Sequence, residues 1–107
     1  MEAFNVTVDD SWAIISPEGK LDAYNSIKFK NSLKKALDKN CKKIIVDLTA
    51  VSFIDSTGLG VLVSTQRNVE KICLVAIRKE VKEIFLLTRL DIIFSFYDSI
   101  QDAKNAR

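Results

Sequence analysis

Apolar and polar residues alternate near the start of the chain, and this pattern predicts two short strands. Residues 4–8 alternate strictly, as a strand does when one face is buried and the other is solvated. Residues 9–11 (Asp-Asp-Ser) are typical of a turn, and the largely apolar residues 12–16 follow them. The two segments therefore indicate a hairpin, which Pro17 ends.

A helical period replaces this alternation in the next part of the chain. Apolar residues recur there at the spacing of one helix face, with lysines on the opposite side. These residues are Phe29, Leu33, Ala36 and Leu37. Asn25 or Ser26 would cap this helix, and Asn40 would close it.

Strands and helices are then predicted to alternate to the end of the chain. Strands are expected over residues 43–48, 72–77 and 92–97, because each is a short apolar run rich in β-branched or aromatic residues. A last helix is expected over residues 99–106, with Ser99 as its cap. Two further helices are expected between the strands, and each would carry one set of residues on a single face: Leu59, Leu62, Val63 and Val69 on the first, and Val81, Ile84, Phe85 and Thr88 on the second.

The predicted order of elements is β-β-α-β-α-β-α-β-α. It favours an α/β fold with a mixed sheet of about five strands and helices packed on its faces. At 107 residues the whole chain, residues 1–107, is expected to be a single domain. Partners of such sheets meet the segments that follow the carboxyl ends of strands. Residues 19–22 and 55–60 lie at such ends and are the candidate binding segments.

The composition excludes several kinds of chemistry. Histidine is absent, so a Ser–His–Asp or Cys–His catalytic arrangement is excluded, and no lysine is spaced with Ser56 as in a known nucleophile motif. Cys41 and Cys73 form neither a C-x-x-C pair nor a disulfide framework, as expected in a reducing compartment. We expect no metal site, no cofactor and no enzymatic activity.

Charge and hydropathy argue against nucleic acids and membranes as partners. Between residues 26 and 43 seven lysines stand against one acid, which raises the question of a nucleic-acid surface. That segment has no arginine and the net charge of the chain is only +2, so a solvated helix face is favoured. No apolar run reaches the roughly 18 residues of a membrane span, and the first residues lack the pattern of a signal peptide. A cytoplasmic protein is expected.

The most informative segment is residues 52–60, Ser-Phe-Ile-Asp-Ser-Thr-Gly-Leu-Gly, between a predicted strand and a predicted helix. It crowds an acid, Asp55, two hydroxyls and two glycines at a helix N-terminus, where unpaired N–H groups favour an anionic group. The glycines would let a partner approach the backbone closely. A β-branched residue at Gly58 is therefore expected to block binding while the protein stays folded.

Residues 54–60, Ile-Asp-Ser-Thr-Gly-Leu-Gly, resemble the signature of the anti-sigma-factor antagonists, the small single-domain members of the STAS family. Residues 19–22, Gly-Lys-Leu-Asp, are similar to a Gly-x-Leu-Asp turn near the front of that family, and residues 79–90 are similar to its third helix. The resemblance covers nearly the whole chain and implies a STAS-like fold.

In that family a partner kinase phosphorylates the serine just after the aspartate, which is Ser56 in this chain. The resemblance implies that the unphosphorylated protein binds an anti-sigma factor with serine kinase activity and releases the sigma factor. Phosphorylation would end the binding, and a phosphoserine phosphatase would be a second partner. The partner-binding residues that it implies are Asp22, Asp55, Ser56, Thr57, Gly58, Leu59 and Gly60.

Without the resemblance, the same residues have ordinary structural interpretations. Ser56 would be the helix cap, and Asp22 an exposed acid of a turn. Asp55 would either cap the helix or satisfy loop amides, or it would polarise or orient Ser56 or hold the metal of a kinase. Thr57 would be structural or an alternative phosphoacceptor. The alternative function is a STAS-type scaffold or a small-ligand-binding regulator that phosphorylation does not control.

The second predicted helix departs from the family pattern. Residues 66–71 run directly into the next strand without the Gly-Gly turn of the family, so the helix is expected to end about one turn early. The phosphoacceptor end is unaffected, whereas the far end of any interface on this helix differs. Trp12, Phe53 and Phe85 are expected in the core rather than on a recognition surface.

Overall fold

The computed structural model describes residues 2–106 and has the predicted α/β architecture. These residues form seven strands, four α-helices and one 3₁₀ helix. In chain order the elements are β1 (Asn5–Asp9), β2 (Trp12–Ser16), β3 (Gly19–Leu21), α1 (Ser26–Asp38), β4 (Lys43–Asp47), β5 (Val51–Ile54), α2 (Ser56–Gln66), β6 (Lys71–Val75), α3 (Lys79–Leu87), the 3₁₀ helix (Leu90–Ile92), β7 (Ser95–Tyr97) and α4 (Ile100–Asn105).

The main sheet has five strands in the order β1-β2-β4-β6-β7. β1 and β2 form the predicted antiparallel hairpin, and its turn holds Asp10 in the left-handed region with φ 58°. The other neighbours pair in parallel. The sequences of β4 and β6 are continuous apolar runs because helices cover both faces of the sheet at these two strands. The mixed sheet of five strands is therefore confirmed.

A second, two-stranded sheet was not predicted. β3 and β5 pair in parallel, with Leu21 opposite Ile54. β3 follows β2 in the chain and β5 follows β4, so the small sheet stands beyond the carboxyl ends of two neighbouring strands of the main sheet. Residues 19–22 and 52–54 were expected to be turn and loop. The pairing between them is non-local and very short, so it leaves no local pattern in either segment.

The core lies on both faces of the main sheet. Helices α1, α2 and α3 cover one face, where Phe29, Leu62 and Phe85 are fully buried against apolar side chains of the strands. α4 covers the opposite face, where Ala103 packs in a smaller cluster with Cys73. Burial raises the pKa of the Cys73 thiol, against a smaller opposing effect of the Lys71 charge. Cys73 is thus a core residue, as expected.

Three boundaries differ from or refine the prediction. The last strand begins at Ser95 rather than at residue 92, because Leu90–Ile92 form a 3₁₀ helix. α2 ends at Gln66, so the prediction that this helix carries Val69 is wrong: Val69 lies beyond the helix, although it still packs on the core. Asn40 follows α1 with φ 61°, the left-handed conformation expected of a closing residue.

Phe53 is not a core residue, contrary to the prediction. Its relative exposure is 43%, whereas Trp12 and Phe85 are buried. Phe53 stands on β5 of the small sheet, which is not enclosed on both faces as the main sheet is. The sequence analysis did not predict the small sheet, and it therefore did not predict that Phe53 stands on a strand with an uncovered face.

Candidate functional site

The small sheet places the two candidate acids side by side. Leu21 and Ile54 are partners at the ends of β3 and β5, and the next residues in the chain are Asp22 and Asp55. The backbone N–H of Asp55 donates a hydrogen bond of 3.1 Å to the carbonyl oxygen of Leu21. The structure therefore brings together the two segments that the sequence indicated, residues 19–22 and 55–60.

Asp22 shapes the connection from β3 to α1. Its Oδ1 accepts a hydrogen bond of 3.1 Å from the backbone N–H of Asn25, and the Asn25 side-chain amide donates one of 2.7 Å to the carbonyl oxygen of Lys20. Asn25 precedes the first residue of α1, but its side chain makes no capping hydrogen bond. Asp22 is half-buried. It is a turn acid, as its ordinary interpretation held, but it is not fully exposed, and partner contact by it stays a prediction.

Asp55, and not Ser56, caps α2. Its backbone is extended, with φ −110° and ψ −174°, and its Oδ1 accepts hydrogen bonds from the N–H groups of Thr57 (2.9 Å) and Gly58 (3.1 Å). Ser56 is the first helical residue and its side chain is exposed. The structural interpretation of Ser56 as the cap is therefore wrong, and that of Asp55 as the cap is confirmed. The Ser56 hydroxyl is not needed to satisfy the helix N-terminus.

The capping role of Asp55 can be separated from its charge. Asp55→Ala is expected to lower the free energy of unfolding by about 1 kcal/mol, because two amides of α2 lose their acceptor. Asp55→Asn keeps a capping oxygen and is expected to cost clearly less. Urea unfolding of the two variants measures the difference. Equal losses would show that the negative charge, rather than the acceptor, stabilises the helix.

The two glycines of the signature, Gly58 and Gly60, have different surroundings. Gly58 is buried, and a Cβ built on it would stand 2.4 Å from the carbonyl oxygen of Leu21 and 2.8 Å from the Cγ1 of Ile54. Gly60 is exposed, and a Cβ there would meet nothing within 4 Å. The open approach to the backbone that was expected at Gly58 is therefore absent, and a bulky residue there would strain the packing of the first turn of α2 on the end of β3.

Leu59 also points inward, with a relative exposure of 6% as part of the main core. The sequence suggested seven partner-binding residues, and two of them, Gly58 and Leu59, thus have structural roles. A substitution of either residue would affect binding only indirectly, through the fold. Ser56 and Gly60 are exposed, and Thr57 and Asp55 are half-buried. Direct contact with a partner stays a prediction for these four and for Asp22.

Two exposed apolar residues beside the site were missed by the sequence analysis. Tyr24, in the turn between β3 and α1, has a relative exposure of 96%, and Ile27, in the first turn of α1, one of 70%. Ile27 lies one turn before Lys30, and Lys30 lines a groove of about 300 Å³ together with Ser56. The sequence contains part of the information needed to predict the exposure of Ile27, because this residue falls outside the apolar stripe that begins at Phe29. An apolar residue outside that stripe has no partner within the fold.

The site therefore consists of an unblocked hydroxyl beside exposed apolar side chains, at the edge of the molecule where the small sheet ends. This composition suits protein recognition, because interfaces combine apolar or aromatic anchors with a few oriented polar groups.

The family model of the STAS domain matches residues 3–103. The chain belongs to the STAS domain family. The predicted family and fold are thereby confirmed.

Relatives within the STAS family include proteins named for one function. A Thermotoga maritima protein, named provisionally as an anti-sigma factor antagonist, is 31% identical over 105 residues, which cover 94% of this chain and 93% of that protein. The anti-sigma-B factor antagonist of Listeria monocytogenes is 36% identical over 80 residues, or 75% of this chain and 63% of that protein. A crystal structure of the T. maritima antagonist superposes with a TM-score of 0.86, covering 94% of this chain and 91% of that one.

Among residues 2–106, no helix combines the length and the apolar character that crossing a bilayer requires.

Proposed function

We propose that this STAS domain is an anti-sigma-factor antagonist and not an enzyme. In its unphosphorylated form it binds an anti-sigma factor that is also a serine kinase, and so releases a sigma factor in the cytoplasm. The kinase phosphorylates Ser56, which ends the binding, and a phosphoserine phosphatase restores it. The names of the relatives in Thermotoga maritima and Listeria monocytogenes support the antagonist role.

The observation that carries the proposal is the state of Ser56. Because Asp55 caps α2, the Ser56 hydroxyl is free to face a second protein. The helix N-terminus beside it attracts anionic groups, which suits both an approaching phosphate donor and the product. Thr57, half-buried one residue later, is the less accessible of the two hydroxyls and remains the alternative acceptor.

The surface that binds the anti-sigma factor extends, in this proposal, from Ser56 and Gly60 to Tyr24 and Ile27. Exposed large apolar residues next to a functional hydroxyl are the residues that would supply most of the binding energy of such an interface. In this proposal the anti-sigma factor contacts the N-terminal half of α2, where Ser56 and Gly60 lie, and not the end of the helix at Gln66.

A matched pair of variants tests the proposed surface. Ile27 and Ile92 have the same relative exposure, 70%, but Ile92 lies in the 3₁₀ helix before β7, at the amino-terminal edge of the main sheet. Ile27→Asp is expected to lose at least tenfold in partner affinity, because a charge would be buried against an apolar contact. Ile92→Asp is expected to bind like the wild type. Affinity capture from an extract of the native cell, followed by titration of the captured anti-sigma factor, measures both.

Two outcomes would contradict the proposal. If Ile92→Asp, and not Ile27→Asp, loses the partner, the interface lies at the opposite edge of the sheet. If the wild type retains no anti-sigma factor and its behaviour is independent of Ser56, the domain is a STAS-type scaffold or a small-ligand-binding regulator instead.

A further inference from the structure

A groove between α1 and α2 leads away from Ser56. Its first part, of about 300 Å³, is lined by Lys30, Ser56, Thr57, Gly60, Val61 and Ser64. Its second part, of about 170 Å³, shares Lys30, Val61 and Ser64 with the first and continues along α1 to Lys34 and Leu37. Ser56 and Lys30 therefore line the same open space.

The side chains that line this groove would favour an anion. Lys30 and Lys34 contribute two positive charges, Ser56, Thr57, Ser64 and Thr65 contribute hydroxyls, and none of the lining residues is acidic. The nearby carboxylate of Asp55 is directed to the amides of α2.

The lysines of this region do not all have the same surroundings. The Nζ of Lys28 stands 4.5 Å from the centre of the Phe4 ring, and that of Lys43 stands 5.6 Å from the centre of the Trp12 ring. Lys30 instead is exposed and lines the groove. It is the lysine of α1 that shares a cavity with Ser56.

The direction of the two helices brings the Lys30 ammonium group towards the Ser56 end. Lys30 shares the first part of the groove with Ser56 and Gly60, whereas Leu37 shares the second part with Thr65 and Asn68. The two helices therefore run in the same direction. Long side chains on a helix lean towards its N-terminus, which for α1 is the end that lies beside the start of α2.

We propose that Lys30 is the counter-ion of a phosphate on Ser56, so that the phosphorylated protein holds its phosphate in the groove between α1 and α2. The inference rests on the proposed function, in which Ser56 accepts the phosphate. The pairing is a charge-assisted contact between an ammonium group and a dianionic phosphate. It makes the phosphate part of this chain's own surface and leaves the rest of the fold as it is.

The test uses protein that carries phosphoserine at position 56 from its synthesis, introduced by an expanded genetic code, so that no kinase is needed. The ³¹P chemical shift is followed against pH in the wild-type background and in Lys30→Met, Lys30→Arg and Lys34→Met. A nearby cation favours the dianion, so the titration midpoint is expected to rise by roughly 0.2–0.7 pH unit in Lys30→Met. Lys30→Arg should restore the wild-type midpoint, and Lys34→Met, which removes the same charge further along the groove, should move it by less than half as much.

An unchanged midpoint in Lys30→Met would overturn the inference, and so would equal shifts in Lys30→Met and Lys34→Met, because those would indicate a general field rather than a contact. The experiment distinguishes a failure of the Lys30 contact from a failure of the proposed function. A kinase that modifies Ser56 together with an unchanged midpoint refutes only the Lys30 contact. A shifted midpoint in a protein whose Ser56 no native kinase modifies refutes only the proposed function.

Discussion

Phosphorylation of Ser56 is expected to lower the affinity for the anti-sigma factor by at least tenfold, while the melting temperature changes by only a few degrees. A phosphate adds about −1.5 to −2 charges at neutral pH to a position that carried a neutral hydroxyl. Its burial against a partner surface shaped for that hydroxyl requires desolvation of a strongly hydrated group. A tenfold loss corresponds to only about 1.4 kcal/mol, which is small compared with such a desolvation cost.

Within the domain, by contrast, the effects of the phosphate should nearly cancel. The N-terminus of α2 and the proposed contact with Lys30 each favour an anion by up to about 1 kcal/mol, and Asp55 opposes it by a similar amount, so the balance of these exposed and salt-screened effects stays within about 1 kcal/mol. Ser56 is exposed and is not the cap, so no hydrogen bond of the helix N-terminus depends on its hydroxyl. The switch therefore works at the interface and not through unfolding.

Isothermal titration of the partner with both forms, thermal melts and backbone NMR spectra measure these expectations. Ser56→Ala should bind constitutively and accept no phosphate, and Ser56→Glu should bind weakly. Thr57→Ala is the control, since its backbone N–H still donates to Asp55. Phosphate incorporation at the wild-type level into Ser56→Ala would instead assign the site to Thr57. Shift changes throughout the sheet, or a collapse of the melting temperature, would mean that the switch is conformational.

The sequence predicted where the site lies but not which residue caps it. Asp and Ser are equally good caps, so the pattern at residues 55 and 56 could not decide between them. The structure decides through the small sheet: the hydrogen bond from Asp55 to Leu21 holds Asp55 extended, and the helix begins one residue later. Because that bond joins segments far apart in the chain, no local pattern reveals it.

The same reasoning explains which other features could be predicted. The helix face of Phe29 and Leu33 and the apolar runs of β4 and β6 are set by local periodicity and burial, so their prediction was correct. Phe53 was assigned to the core because apolar character alone does not distinguish a covered strand from an uncovered one. The exposure of Ile27 could have been inferred from its position outside the stripe of α1, since that position has no packing partner.

The second large effect is expected at Gly58, where Gly58→Ala should lower the free energy of unfolding by a net amount of about 1–2 kcal/mol. Any Cβ at this position stands 2.4 Å from the carbonyl oxygen of Leu21, which is backbone and cannot rotate away. That oxygen also accepts the N–H of Asp55, so a shift that relieves the clash disturbs the connection between β3 and α2. Overpacking of this kind costs about 1–3 kcal/mol and outweighs the gain of up to about 1 kcal/mol from replacing a helical glycine.

Gly60→Ala is the matched control, because it adds the same methyl group to the same helix in open space. It should raise the free energy of unfolding by about 0.5–1 kcal/mol, since alanine is the better helix former. Urea unfolding at a fixed pH gives both values, and each kcal/mol corresponds to a change of about 4–8 °C in the melting temperature of a domain of this size. If Gly58→Ala is as stable as the wild type, α2 does not pack on Leu21 as closely as described. If Gly60→Ala gains stability but loses the anti-sigma factor, a partner approaches the backbone at Gly60, where the methyl group would stand in its way. Gly58 then acts within the fold and Gly60 at the interface, although the two glycines are separated by a single residue of one motif.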